Sequence, residues 1–154
     1  MKDLISLLNK TTSLTLELLD VLREERAALS QQDIVILETV IEKKLGVAQA
    51  LQAIDQQRDN ALAKLGAAPG ATGIEAVVAT NTDQQLNDSW QALCDASLRC
   101  KEENLLVGTM IRKNQLVTDQ TLQVLRKGHI ETEQIYSANG ITTKQSQSSP
   151  LGKV

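Results

Sequence analysis

Apolar and small side chains recur at alternating steps of four and three residues along the second half of the chain, from about Thr82 to His129. This spacing is typical of one face of an α-helix. At 1.5 Å per residue, such a helix would be roughly 70 Å long, far more than a small compact domain needs. The positions that mark the face are Leu86, Trp90, Leu93, Ser97, Cys100, Asn104, Val107, Ile111, Asn114, Thr118, Leu122 and Leu125. Other long helices, or a partner, must therefore cover this face.

Two shorter amphipathic segments precede the long one. Leucines at helical spacing predict a first helix from Leu4 to about Leu29. The second predicted helix begins near Ser30-Gln31-Gln32-Asp33 and ends before Gly66. At its start we expect Ser30 to cap the helix and Asp33 to lie in the positive first turn. The short connection between two helices of similar length predicts an antiparallel hairpin.

A loop of small residues, GAAPGATG at positions 66–73, separates the hairpin from the long helix. Its first glycine is expected to stop the second helix, and its proline to prevent the helix from resuming. Thr72 with Glu75 predicts a short helix after this loop. Thr82 with Gln85 is a second capping pair and predicts the start of the long helix.

Beyond Gly128 the helical pattern fades. Tyr136 follows in a weakly patterned segment, and the tail from Ile141 is rich in Ser, Thr, Gln and Lys. Such a tail has too little apolar surface to offset the entropy lost on ordering. We therefore predict an all-α fold, in which an antiparallel helical hairpin and one long third helix form an elongated coiled-coil-like bundle. Residues 1–136 would form its single domain, and residues 137–154 a mobile, disordered C-terminal tail.

Polar residues interrupt the apolar face of the long helix. Ser97, Asn104, Asn114 and Thr118 stand where a tight coiled coil would have Leu or Ile. This predicts a seam that is shallow, wet or unfilled. The N-terminal half of the helix can pack on the hairpin, but hairpin helices of about 30 residues are not expected to cover the half beyond Asn104. A structural homodimer that buries the same face is the alternative.

The composition favours thin seams between helices. The 154 residues include no Phe, one Trp and one Tyr, so Leu, Ile, Val and Ala must fill the interior. The net charge is −3 and no basic cluster exceeds a dipeptide, which argues against nucleic-acid binding. No apolar run is long enough to span a bilayer. The interpretation is a cytoplasmic protein without membrane insertion.

Candidate catalytic groups are sparse. Cys94 and Cys100 are six residues apart on the predicted helix, hence on different faces, and are interpreted as free thiols. His129 is the single histidine and stands at a predicted helix end, where a capping or surface role is expected. Neighbouring glutamates lack the Glu-x-x-His pattern of carboxylate metal sites. We predict no enzyme, no cofactor and no metal.

Five short stretches have an order and spacing that are similar to those of a known family. They are Trp90-Gln91-Ala92-Leu93, Asn104-Leu105-Leu106, Ile111 with Asn114-Gln115, Leu122-Gln123-Val124-Leu125, and Tyr136-Ser137-Ala138-Asn139-Gly140. Together with the hairpin pattern they resemble the FlgN family, the flagellar type III export chaperones for the hook–filament junction proteins FlgK and FlgL.

The resemblance implies a partner for the long helix. In such a chaperone an amphipathic, aggregation-prone C-terminal segment of FlgK or FlgL, the cargo, would lie along a helical groove. The positions expected to form this groove are Val107, Ile111, Thr118, Leu122 and Leu125. From its chemistry alone, Tyr136 could either staple the tail to the bundle or contact a partner. The resemblance favours the second role, docking onto the export gate protein FlhA.

Overall fold

The structure, a computed structural model, describes the backbone of residues 1–141 and the side chains of residues 1–127. It contains the helices α1 (Lys2–Gln31), α2 (Ile34–Lys64), α3 (Gly70–Thr80) and α4 (Gln84–Ile141). No strand occurs among these residues. The prediction of an all-α helical bundle with one long helix is confirmed. Residues 142–154, most of the predicted tail, lie outside the described residues.

Backbone contacts divide the chain into a first unit, Met1–Ile111, and a second unit, Arg112–Val154. The first unit contains α1, α2, α3 and the N-terminal part of α4. Of the second unit, the structure describes the helical residues 112–141. The helix passes Gly128, where the sequence pattern fades, and includes Tyr136. A glycine costs about 1 kcal/mol relative to alanine inside a helix, and good helix formers such as Glu131 and Gln134 follow it.

The turn between α1 and α2 is tight. Gln32 adopts a left-handed conformation with φ of 56°, and the Asp33 amide donates a hydrogen bond of 3.0 Å to the Ala28 carbonyl. Asp33 is also the N-cap of α2, because its Oδ1 accepts from the Ile36 amide at 3.0 Å. The prediction that Ser30 caps this helix is wrong, since Ser30 lies within the last turn of α1. Aspartate is as good an N-cap residue as serine, and Asp33 stands directly before the first residue of α2.

The two helices of this antiparallel hairpin are held by a small apolar cluster and two ion pairs. Val21 of α1 packs with Val40 and Val47 of α2. Lys43 Nζ lies 2.8 Å from the Glu24 carboxylate in an exposed pair. One residue on, Lys44 Nζ lies 2.7 Å from the carboxylate of Glu25, whose side chain is 4% exposed. The hairpin inferred from the sequence is therefore confirmed, with a buried charge inside it.

Gly66 ends α2, as predicted. Its φ of 73° lies in the left-handed region, and its amide donates to the Ala63 carbonyl at 3.0 Å. The Ala67 amide donates to the Leu62 carbonyl at 3.0 Å, which completes a Schellman motif. Glycine adopts this conformation without the steric cost that a Cβ adds.

Replacing Gly66 by Ala is expected to lower the free energy of unfolding by about 1 kcal/mol, because a Cβ is strained at positive φ. No atom lies within 4 Å of a Cβ built at this position, so the loss would come from backbone strain alone. Gly46 in the interior of α2 is equally open and is the control. Gly46→Ala should raise the free energy of unfolding by about 0.5–1 kcal/mol. Urea unfolding of both variants measures the difference, and a neutral Gly66→Ala would contradict it.

The start of α3 differs from the prediction. The helix begins at Gly70, and the Asp59 Oδ1 on α2 accepts from the Gly70 amide at 2.9 Å. Thr72 therefore lies inside α3 and does not cap it. A neighbouring helix supplies the capping group, which a purely local sequence pattern cannot reveal.

The start of α4 also has a different capping group. The Asp83 Oδ1 accepts from the Gln85 amide at 2.9 Å, so Asp83 takes the role predicted for Thr82. The two residues are adjacent and both can cap a helix. Helices α3 and α4 are separate, with residues 81–83 between them, whereas α4 runs through Gly108 without a break.

The first unit has its main core where all four helices meet. The buried residues of this cluster are Leu4, Ile5, Leu8, Leu62, Ile74, Leu86 and Leu93, with Trp90 packed against them. A second cluster lies further along α1 and α4 and contains Leu22, Leu29, Cys100 and Val107, with Leu18, Leu37, Met110 and Ile111 against it. Apart from Cys100, the buried side chains of both clusters are aliphatic, as the composition predicts. The N-terminal part of α4 thus packs on the hairpin.

Candidate partner-binding surfaces

The described part of the second unit exposes an apolar surface. Among residues 112–127, every residue except Asn114 is exposed. We define the C-terminal strip as the five large apolar side chains of this segment, which are 46–70% exposed: Leu116, Val117, Leu122, Val124 and Leu125. Leu122 and Leu125 lie on the same side of the helix as Thr118, whereas Leu116, Val117 and Val124 lie on other sides, so the segment is apolar around much of its circumference. Exposed apolar patches are typical of surfaces that bind a partner. The segment is also basic, since it contains Arg112, Lys113, Arg126 and Lys127 against one acid, Asp119.

The five residues predicted to bind cargo fall into two groups. Thr118, Leu122 and Leu125 are exposed and follow one another at helical spacing on α4. The Thr118 hydroxyl donates to the Asn114 carbonyl at 2.9 Å, so it already has a partner within its own helix. Val107 and Ile111 belong to the first unit. Val107 is buried at 1% exposure with Leu22 and Leu29, and Ile111 is half-buried against the same cluster.

Each group has a different consequence for binding. The exposed three can contact a partner without any rearrangement. Val107 can do so only if the second core cluster opens, and Ile111 offers part of its surface. The participation of all five in cargo binding stays a prediction. Tyr136 lies on α4, but its side chain is outside the described residues, so its predicted contact with FlhA also stays a prediction.

A trough runs along the first unit between α2 and α4, with α1 as its floor. One cavity of about 420 Å³ is lined by residues that include Thr15 of α1, Arg58 of α2 and Ser97 of α4. A second cavity of about 380 Å³ is lined by residues that include Thr15, Lys44 and Ser97. Because the two cavities share Thr15 and Ser97, they form one continuous feature, which we call the trough. The sequence gives no direct signal of it, since it depends on how far apart two helices lie.

The floor of the trough is less polar than its sequence suggests. The Thr11 hydroxyl donates to the Leu7 carbonyl at 2.8 Å, and the Thr15 hydroxyl donates to the Thr11 carbonyl at 2.8 Å. A hydroxyl that bonds back to its own helix needs no polar partner across the trough. Leu18 and Leu22 continue the floor. The trough therefore offers an apolar base between two helical walls.

Three cationic side chains line the walls. On α2, Arg58 is paired with Asp55 at 2.8 Å, and Lys44 is paired with the buried Glu25. On α4, Lys101 forms no ion pair with any described residue. One carboxylate, Asp55, lines the trough beside them. The walls are therefore net positive, and Lys101 carries the charge that is free to meet a partner.

Both cysteines are free thiols, as predicted, and both line the trough. Burial raises the pKa of Cys94, and the carboxylates of Glu75 and Asp95 raise it further. Burial also raises the pKa of Cys100, against a smaller lowering by Lys44. A raised pKa keeps a thiol protonated at neutral pH and makes it a weak nucleophile. The electrostatics do not favour thiolate chemistry at either position.

Within residues 1–127 no group of three or more His, Cys, Asp or Glu side chains is placed to hold a metal ion. Among the described helices, none is long and apolar enough to cross a membrane. Two surfaces of the described residues, the C-terminal strip and the trough, combine exposed apolar side chains with basic ones.

A comparison with protein families matches residues 1–144 of the chain to the family model described as FlgN protein. No curated protein and no solved structure matches the chain. The match covers the two helical units together, including every described residue.

Proposed function

The chain belongs to the FlgN family, which is a family of flagellar export chaperones for FlgK and FlgL, and from this premise we propose that it binds the C-terminal segment of such a junction protein in the cytoplasm. Binding would keep the segment from associating prematurely and would deliver it to the type III export gate. The role requires no catalytic group, since a chaperone acts by covering surface.

The observation that carries the proposal is the C-terminal strip. Leu122 and Leu125 are 46% and 63% exposed on a helix whose neighbouring residues are also exposed. An amphipathic segment laid along such a helix removes apolar area from water, worth about 25 cal/mol per Å² buried. A chaperone must keep this surface available in its free state, and the observed exposure satisfies that requirement.

Calorimetric titration with the purified C-terminal segment of a FlgK-type or FlgL-type protein tests the proposal, with sedimentation of the same samples to fix the stoichiometry. We expect a one-to-one complex and a rise in the melting temperature, because a ligand that binds only the folded state stabilises it. A tight homodimer that ignores the segment would instead support a structural coiled-coil protein. That result would reject the chaperone role.

We further propose that Tyr136 contacts the export gate protein FlhA and does not contact cargo. A tyrosine supplies a rigid apolar ring with one polar tip, which suits a small docking surface. Tyr136→Ala is therefore expected to leave the affinity for the junction segment within about twofold while weakening binding of the complex to FlhA about tenfold or more. Pull-down of the preformed complex on immobilised FlhA measures the second effect. Loss of cargo affinity would contradict this division of roles.

A further inference from the structure

The trough in the first unit is not explained by a partner that binds the C-terminal strip alone. Its floor belongs to α1, and its walls belong to α2 and α4. The short helix α3 contributes only Ala71 and Ile74, at the larger cavity. The three long helices therefore lack a fourth long helix that would complete a four-helix bundle. All the residues that define the trough lie within the first unit.

The length of the trough matches a helical segment. On α2 its lining residues run from Lys44 to Arg58, and on α4 from Trp90 to Asn104. Each wall thus spans roughly 21 Å at 1.5 Å per residue. An α-helix of about 15 residues, or four turns, would fill that length.

The rims of the trough are apolar where they meet solvent. On α4, Leu98 and Leu105 follow the lining residues Cys94 and Lys101 by four positions, so they lie on the same side of the helix. On α2, Ile41 stands three positions before the lining residue Lys44, and Leu45 stands four positions after Ile41. Both therefore lie on the helix beside the lining residues. These four rim residues are 50–60% exposed. A helix seated between them would bury the rims, whereas most of the floor is already buried in the free protein.

The charged side chains of the walls indicate which residues would flank the apolar face of a helix bound in the trough. The walls present Lys44, Arg58 and Lys101 against a single lining carboxylate, Asp55, and only Lys101 has no ionic partner among the described residues. An acidic residue beside the apolar stripe of the occupant would pair with Lys101. The α4 segment 112–127 of a second copy has four basic residues and one acid, so it would be repelled. The charge pattern therefore favours an acidic helix over the basic α4 segment of a second copy.

We propose that the trough seats an amphipathic helix of about four turns from the exported subunit, with acidic residues on the flank that faces α4. This rests on the proposed function, and it adds a second contact surface in the N-terminal unit to the C-terminal strip. The occupant turns its apolar face to Leu18 and Leu51, which line the trough and are half-buried, and places the acidic flank beside Lys101.

Ser97 provides the most direct test because it is exposed and borders both cavities. Ser97→Trp would fill the trough without removing a core side chain. We expect it to weaken binding of the junction protein's C-terminal segment at least tenfold. Glu102→Trp is the control, since Glu102 is exposed on the same helix and, five residues further on, points away from Ser97. It should leave the affinity within about twofold.

Cys94 is a native reporter of occupancy in the unmodified protein. The bound helix would shield its thiol and slow alkylation by iodoacetamide at least tenfold. Tryptic cleavage after Arg99 separates Cys94 from Cys100, so mass spectrometry follows the Cys94 thiol by itself without a substitution. Circular dichroism of Ser97→Trp provides the check that the variant is folded.

The outcomes separate this proposal from the function on which it rests. Protection of Cys94 together with weakened binding by Ser97→Trp supports the trough as a seat. If the segment binds equally well to wild type and to Ser97→Trp and leaves Cys94 unprotected, the trough proposal is overturned and the chaperone role stands. A wild-type protein that does not bind the segment at all overturns both. A free-protein dimer that Ser97→Trp converts to monomers assigns the trough to a second copy and likewise overturns the proposal.

Discussion

Leu122→Asp should abolish binding of the junction protein's C-terminal segment while leaving the helical content and the unfolding midpoint nearly unchanged. Leu122 is 46% exposed and stands four residues after Thr118 and three before Leu125, so it lies at the centre of the exposed face. A carboxylate there would be forced against apolar cargo without a compensating hydrogen bond, and such a desolvated charge costs several kcal/mol. A loss of about 3 kcal/mol corresponds to a more than hundredfold weaker complex. Calorimetric titration measures the affinity.

A matched substitution separates this contact from the fold. Ile111 is half-buried against the second core cluster, so Ile111→Asp would place a charge beside Leu22 and Val107. That variant should lose stability as well as affinity, whereas Leu122→Asp should lose affinity alone. A wild-type affinity in Leu122→Asp would remove the C-terminal strip from the cargo site. A large drop in the melting temperature of Leu122→Asp would show that the strip is covered in solution.

Lys44→Met is expected to destabilise the fold by about 3 kcal/mol. Its ammonium lies 2.7 Å from the Glu25 carboxylate, which is 4% exposed, so the substitution strands a negative charge inside the hairpin. Removal of one partner from a buried pair typically costs 3–5 kcal/mol. The Lys44 side chain is 33% exposed, so water partly screens the pair and the cost should lie at the lower end of this range. Chemical denaturation at neutral pH measures this loss.

The adjacent residue is a close control for that experiment. Lys43 pairs with Glu24 at 2.8 Å across the same two helices, but both side chains are about half exposed. Exposed pairs contribute at most about 1 kcal/mol, so Lys43→Met should change little. Equal effects of the two substitutions would mean that the burial of Glu25 does not control the stability of the hairpin. The double variant Glu25→Gln/Lys44→Met should recover much of the lost stability, because no charge remains unpaired.

The long helices and the hairpin could be predicted because they depend on local patterns that repeat along the sequence. The steps of three and four on α4 and the break at Gly66 report helix and turn independently of the rest of the chain. The capping residues were harder to predict. Ser30 and Asp33 are both competent caps, and the choice between them depends on where α1 ends. Asp59 caps α3 from a different helix, which no local pattern contains.

The candidate site shows the same limit. Val107 and Leu122 both belong to the apolar face read from the sequence, yet one is 1% and the other 46% exposed. A helical period identifies a face but does not say which neighbour covers each turn of it. The trough leaves no sequence pattern for a related reason, because the separation of α2 from α4 is a tertiary property. The helix continues beyond Gly128 although the apolar pattern fades there, since glycine in a helix interior weakens the helix without necessarily ending it.

The position of the one tryptophan gives the protein a built-in optical probe. Trp90 is half-buried at one end of the trough, where it lines the larger cavity beside Leu93. Because the chain contains no other indole, all of its tryptophan fluorescence originates there. A seated helix would replace water around the ring, and the emission maximum would move to shorter wavelength. Occupation of this end of the bundle can therefore be followed with an unlabelled, tryptophan-free ligand, at concentrations too low for calorimetry.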